Sequence, residues 1–522
     1  MEKRLMLALT LSLVILFSFQ TYMQKKYPGS YKKTANIIPV QKKTVKEAEM
    51  PVYKDTGKDV TAETSKQVLV FSDANGALKR IEIKEYRSKS GANEIIMDAS
   101  SVSGAIFATS LDGQSQSYDV ERSADSIAFS SAVNSMWDIR KTYYFDKDDY
   151  TIEMELSVRN ISNSAEACSY EIIGGSYFVE NDSMSNKFFE AAADLNGVIS
   201  KEKRPRQETV FHKGILGWAG LKSRYFSLIL KPLQQADGYF VRPLDKNQLC
   251  VGITTPAVVL QPNEIIVNKY RFYAGPNKYN TLKVMGLGFE NIIDYGVFGS
   301  ISKLLLIMLN FFFGIFKNWG ISIVALSILV NMALFPLTMK SMSSMKKMQE
   351  IQPHMEKLKQ QHKDNPQKLN KEIMELYKTH KVNPFGGCLP MILQMPIFIA
   401  LYQALIRNVD LKGARFLWIK DLSLPDAVRI PLNLPVIGNS LNILPILMIG
   451  AMLVQQKLSM SNAAAQSAEQ KQQQAIMNIV MPIMFGFIFY NFPSGLVLYW
   501  FTNSIFMLVG QRMLVLRKGP AQ

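Results

Sequence analysis

The chain has 522 residues, 48% of them hydrophobic, and a formal net charge of +16. Its length admits several domains with sizeable cores. Beside several long uncharged apolar segments, the basic excess points to anionic phospholipid, and no DNA contact is expected. The three cysteines match no metal site or disulfide framework. Cys388 reads as a small buried hydrophobe, and Cys168 and Cys250 as unpaired structural thiols, although their pairing stays open.

At the N-terminus, Lys3 and Arg4 precede the apolar run Leu5–Phe19, and no small-x-small cleavage site follows. Residues 1–24 are therefore expected to form an uncleaved transmembrane anchor. Residues 25–67, rich in Lys, Thr, Glu and Pro and lacking apolar periodicity, read as a flexible linker. From Val68 the texture changes to short alternations such as Arg80-Ile81-Glu82-Ile83 and Tyr150–Leu156, punctuated by Gly, Asn, Asp and Ser. That pattern predicts an all-β sandwich domain over residues 68–285.

Residues 296–317 carry Lys303, Asn310 and Lys317 as a narrow polar stripe on an apolar helix, the pattern of an interfacial amphipathic helix. Residues 319–515 are expected to hold five spans, at about 319–338, 385–406, 437–456, 474–491 and 495–514. With the anchor, six spans result, and the fold class is a polytopic α-helical membrane protein with a large extracytoplasmic β-domain. Between the first two core spans, residues 340–382 carry ten lysines (340, 346, 347, 357, 359, 363, 368, 371, 378 and 381). The loop after Arg407 is less basic, so the positive-inside rule places the insert and both termini in the cytoplasm and the β-domain in a periplasm-like space.

Within the insert, Met342, Met345, Met348, Ile351, Met355 and Leu358 recur at helical spacing, and Asp364-Asn365-Pro366 separates them from a second stripe. A helical hairpin is expected, its first helix kinked at Pro353. The stripes either pack on each other or form a methionine-rich docking arm whose lysines attract lipid headgroups or ribosomal RNA.

The apolar segments Trp319–Thr338, Pro384–Ile406, Asn433–Gln456 and Gln472–Gln511 contain no Asp, Glu, Lys, Arg or His, yet carry Ser327, Asn331, Gln394, Gln403, Asn442, Thr502 and Asn503. Such groups avoid hydrocarbon, so they face one another or water. Interhelical hydrogen bonding is the plain reading. The functional one is a hydrated groove admitting a polar segment of another chain. There is no phosphate-binding loop, no His-Glu-x2-His and no Gly-x-Ser-x-Gly. No Asp, Glu, Lys, Arg or His lies within these four segments, so neither catalysis nor active transport is expected, and no cofactor.

Three segments resemble the signature of the YidC membrane protein insertases: Val382-Asn383-Pro384-Phe385-Gly386-Gly387-Cys388, Gln394-Met395-Pro396-Ile397-Phe398, and Phe492-Pro493-Ser494-Gly495-Leu496-Val497-Leu498-Tyr499. Gly217-Trp218 and Tyr225-Phe226 resemble the family less specifically. The resemblance implies a periplasmic supersandwich, an insertase core in the bacterial inner membrane, and nascent membrane proteins, the ribosome and the Sec translocon with its accessory subunits as partners. It implies a substrate groove built from Ser327, Asn331, Gln394, Thr502 and Asn503, with Phe398, Tyr499 and Trp500 as apolar substrate contacts. The family's groove usually carries an arginine where this chain has Asn331, and a tyrosine where it has Trp500. Two other classes compete: a membrane-anchored sugar-binding or epimerising protein, needing a histidine beside a carboxylate near His212, and a channel or lipid transporter using the same polar spans.

Overall fold

A computed structural model describes residues 57–517 except 89–90, 100–104, 113–116, 147, 180–186, 203–207, 246–247, 363–364, 381, 383–388, 435–437 and 461–479. The expected anchor, most of the expected linker, and part of the first family motif lie outside the described residues. The chain divides into two compact units, Met1–Gly275 and Pro276–Gln522.

The first unit is a β-sandwich, and its strands begin earlier than expected. Asp59–Glu63, inside the stretch read as linker, pairs antiparallel with Gln67–Ser72. Val60 and Ala62 turn inward while Asp59, Thr61 and Glu63 stay exposed, so two apolar side chains at a spacing of two suffice. Nine antiparallel strands form the principal sheet, in the order Val198–Glu202, Glu190–Leu195, Leu216–Lys222, Phe226–Pro232, Ile265–Pro276, Thr151–Asn160, Trp137–Phe145, Ser126–Val133 and Asp119–Arg122. Two four-stranded sheets lie against it. One runs Asp59–Glu63, Gln67–Ser72, Leu78–Arg87 and Asn93–Asp98, and the other Glu171–Gly175, Gln248–Thr254, Gly238–Asp245 and Val210–Lys213.

Alternation explains the register. Ile152, Met154, Leu156 and Val158 are all buried on the Thr151–Asn160 strand. On the neighbouring strand the inward positions are Trp137, Ile139, Lys141 and Tyr143. Lys141 thus points into the core, where its ammonium lies 2.7 Å from Asp112. Burial holds its pKa below the usual lysine range, against the opposing pull of Asp112. Tyr143 donates to the Gly76 carbonyl and packs on Phe71, Phe107 and Phe129. Cys168 and Cys250 are both buried free thiols, which settles the open question of their pairing.

The second unit is helical. Gly299–Phe316 packs against Trp319–Glu350 and Leu389–Ile406, and Ser494–Arg517 packs against Trp319–Glu350 and Ile443–Met460. Their common core includes Leu309, Leu326, Leu401, Met448 and Leu496. Outward faces of this unit are apolar too: Leu304, Ile307, Phe311 and Ile315 are 56–65% exposed, and Phe487 on the Val480–Phe489 helix is 84% exposed. A surface of that kind suits hydrocarbon.

Among the described residues, two helices are long and apolar enough to cross a bilayer, Gly299–Phe316 and Trp319–Ser341. The apolar helices Gln394–Ile406, Ile443–Lys457 and Val480–Phe489 are shorter. Residues 296–317 are expected to form an interfacial helix, and the Gly299–Phe316 helix also meets the length and hydropathy of a span.

Three further details depart from expectation. The helix of the first core span does not stop near residue 338; Trp319–Glu350 is one continuous helix, with Pro336 inside it. Pro353 causes no kink, because the helix breaks at Ile351 and the proline occupies the first turn of Gln352–Gln361, where its missing N–H is harmless. The helix of the third core span begins at Ile443: Gly438–Leu441 pairs with Val428–Leu434 in antiparallel register, and their backbone groups bond each other.

The insert is otherwise helical as expected. Asn365 accepts a hydrogen bond from the Lys368 amide and Pro366 follows it, a strong start signal for Pro366–Thr379. The Tyr377 hydroxyl meets the Met355 sulfur at 3.2 Å, so the two stripes touch each other.

Candidate functional site

The Ser494–Arg517 helix anchors the site, and its first turn explains the Phe492–Tyr499 motif. Pro493 precedes the helix, and the amides of Ser494 and Gly495 donate to the Leu424 and Leu422 carbonyls at 2.8 and 2.9 Å. These loop carbonyls satisfy donors that a helix start leaves open. The Ser494 hydroxyl donates to the Asp421 and Leu424 carbonyls. A Cβ at Gly495 would lie 3.2 Å from the Leu422 carbonyl oxygen, which favours glycine there. One turn further, this anchoring places Tyr499 in the bundle core, with none of its surface exposed.

Tyr499 joins three helices. Gln394 Nε2 donates to its hydroxyl at 2.7 Å, from the Leu389–Ile406 helix. Ser327 Oγ donates to its backbone carbonyl at 3.3 Å, from the Trp319–Glu350 helix. One turn along that helix, Asn331 Nδ2 donates to the Ser327 carbonyl at 2.7 Å. Ser327 is fully buried and Asn331 is 6% exposed. Within membrane bundles such bonds contribute on average about 0.6 kcal/mol each, so they set geometry more than stability.

Beside this polar line stands an aromatic cluster. Phe398 and Trp500 meet edge to face with centroids 5.0 Å apart, and Phe489 lies 5.7 Å from Phe398 and 5.3 Å from Trp500. Phe485 stacks on Trp500 at 5.7 Å. Such pairs contribute about 0.5–1.5 kcal/mol beyond area burial.

The structure therefore brings together Ser327, Asn331, Gln394 and Tyr499 as one group, and Phe398 and Trp500 as another. Thr502 does not join them: its hydroxyl donates to the Leu498 carbonyl of its own helix at 2.8 Å. Asn503 is half-buried on the same helix. Tyr499 needs correction as an apolar substrate contact, since its ring is enclosed and its hydroxyl engaged. Asn442 engages a different set of partners. It precedes the Ile443–Met460 helix, accepts from the Ala427 amide at 2.8 Å and donates to the Tyr490 carbonyl at 2.7 Å.

Phe485 and Phe489 were not anticipated, although their four-residue spacing puts them on one helical face. Asp426, whose carboxylate accepts from the Leu444 amide and the Trp418 indole, gives no local signal, because its partners come from separate segments. In the β-domain, His212 stacks on Tyr239 and its Nε2 lies 3.7 Å from Glu202, beyond hydrogen-bond reach.

Two known families match this chain. The one described as 60Kd inner membrane protein matches residues 311–521, and the one described as YidC periplasmic domain matches residues 59–308. A relative in Pelobacter propionicus, named membrane protein insertase YidC, is 32% identical over 566 residues, covering 99% of each chain. Relatives of the same name in Geotalea uraniireducens and Geotalea daltonii are 32% and 30% identical, covering 98% and 100% of each chain. With likeness at this level running from end to end and both family regions accounted for, the chain belongs to the YidC family of membrane protein insertases.

Proposed function

We propose that this protein inserts and helps fold nascent proteins in the bacterial inner membrane, its β-domain in the periplasm. The observation that carries the reading is the polar line Ser327–Tyr499–Gln394 with Asn331, held inside uncharged helices of a chain related to insertases along its whole length. A nascent segment slides along a hydrated groove lined by Ser327, Asn331, Gln394, Thr502 and Asn503. Its polar flank is solvated there while its apolar face meets lipid beside Phe398 and Trp500. Hydrophobic transfer, about 25 cal/mol per Å² of apolar surface, drives the movement without a nucleotide. With Asn331 at the family's usual arginine position, the groove works by hydration and hydrogen bonding, without an electrostatic pull on acidic segments.

Six spans, with both termini and the Lys-rich hairpin in the cytoplasm, follow from the charge distribution. Gly299–Phe316 then lies in the interface, because a further crossing would move the hairpin to the periplasmic side. The hairpin lysines suit ribosomal RNA and anionic headgroups, and work alone or beside the Sec translocon fits the same topology.

The test is depletion followed by protease mapping of small membrane proteins. Loss of insertion for a subset supports the reading; unchanged insertion of every one refutes it. Photocrosslinking from position 331 during translation then reports whether a client occupies the groove.

A further inference from the structure

The helical unit holds a cavity of about 220 Å³ at the start of the Gly299–Phe316 helix, away from the polar line. That is many times the roughly 10–15 Å³ that one water requires. Lys278, Lys303 and Arg407 line it against a single lining carboxylate, Asp410, which is already paired with Lys278 at 2.8 Å. Lys303 has no carboxylate partner among the described residues; its ammonium lies 4.3 Å from the centre of the Tyr279 ring.

A second observation is independent of charge. Asn408 also lines the cavity, and its Oδ1 accepts from the Asp410 amide at 3.0 Å, which fixes the orientation of the amide group. Its Nδ2 is buried and has no hydrogen-bond partner among the described residues. A buried donor without an acceptor is costly, and in an electropositive cavity the missing group is an anionic oxygen. The wall contains Leu306 and Ile307, and Ile307 is continuous with the exposed apolar face Leu304, Phe311 and Ile315.

We infer that this cavity is a binding site for the phosphate of an anionic phospholipid headgroup. Lys303, Arg407 and Asn408 face the phosphate oxygens, and the acyl chains lie along the exposed face of the Gly299–Phe316 helix. A free phosphate would use the same donors but gain nothing from that face. The site goes beyond the insertase reading and is measured without insertion.

The experiment is native mass spectrometry of the purified full chain in zwitterionic micelles, with phosphatidylglycerol, phosphatidylcholine or inorganic phosphate added. Phosphatidylglycerol should bind about five- to tenfold more tightly than phosphatidylcholine. Lys303→Gln and Asn408→Leu should each remove most of that preference, Lys303→Arg should keep it, and Lys213→Gln on the β-domain surface should not alter it. Equal binding of the two lipids, or full preference in both Lys303→Gln and Asn408→Leu, overturns the proposal. Displacement of the lipid by millimolar inorganic phosphate also overturns it, in favour of a soluble anion. Insertion measured in parallel separates loss of this site from loss of the insertase activity.

Discussion

Replacing Lys141 by methionine removes a cation from inside the β-domain while leaving its counter-ion behind. The ammonium donates to Asp112 at 2.7 Å, to the Asn75 carbonyl at 2.8 Å and to the Phe107 carbonyl at 3.2 Å, and the side chain has no exposed surface. After the substitution Asp112 keeps two neutral donors, the Thr109 amide at 2.7 Å and the Tyr118 hydroxyl at 2.8 Å. Its carboxylate stays 3% exposed and loses the Lys141 ammonium as its ion-pair partner. Breaking a buried pair from one side costs about 3–5 kcal/mol. With a urea slope near 2 kcal/mol per molar, the midpoint should fall by about 2 M.

The assay is urea unfolding of the full chain in detergent, read by proteolytic susceptibility of the β-domain. The paired variant Lys141→Met with Asp112→Leu should recover most of the loss, since a buried ion pair often exchanges for apolar groups without net cost. A single-variant loss below about 1 kcal/mol, or a double variant as damaged as the sum of the singles, refutes the reasoning.

Other expectations are as direct. Tyr499→Phe leaves the Gln394 amide without its acceptor, so it should lower insertion of polar-flanked clients while small apolar-flanked clients insert normally; equal effects on both classes would count against the groove. Asn331→Leu should impair the same polar-flanked clients, checked by protease protection in the same strain. Gly238→Ala should destabilise the β-domain by about 3 kcal/mol, because φ is +152° and a Cβ would sit 1.9 Å from the His212 carbonyl oxygen; urea midpoints measure it. Burial pushes Cys168 up to about 11 and Cys250 up to about 12 from 9.0. Both thiols therefore stay neutral in the folded chain while the unfolded chain ionises. Their contribution is complete below pH 9 and is lost as pH rises toward about 12, so stability should fall across that range. A Cys168→Ala and Cys250→Ala double variant should fall less steeply.

Much of the architecture was legible in local pattern. Alternation at period two in segments such as Tyr150–Leu156 disclosed the β-domain, and the lack of charge in four long segments disclosed the helical one. Local pattern failed where a short element borrowed its stability from a distant partner. Asp59–Glu63 has only Val60 and Ala62 to bury and becomes a strand because Gln67–Ser72 offers an edge. The uncharged segment 438–441 is a strand paired with Val428–Leu434 for the same reason. Lys141 lies inward by register alone, yet its partner Asp112 is 29 residues away, beyond any spacing rule.

By itself the sequence determined that this protein has a β-sandwich followed by uncharged helices bearing buried amides and hydroxyls, because periodicity and the cost of polar groups in hydrocarbon are local properties. It also carried the motifs of its family. Only the tertiary structure decided which amide meets which hydroxyl: that Tyr499 is an internal tie between Gln394 and Ser327, that Thr502 turns back on its own helix, and that Asn408 lines a cavity beside Lys303 and Arg407. The reason is that hydrogen bonds between helices depend on the rotation and depth of each helix in the bundle. Those are set by the packing of Leu326, Leu401, Leu496 and their neighbours, contacts far apart in the chain.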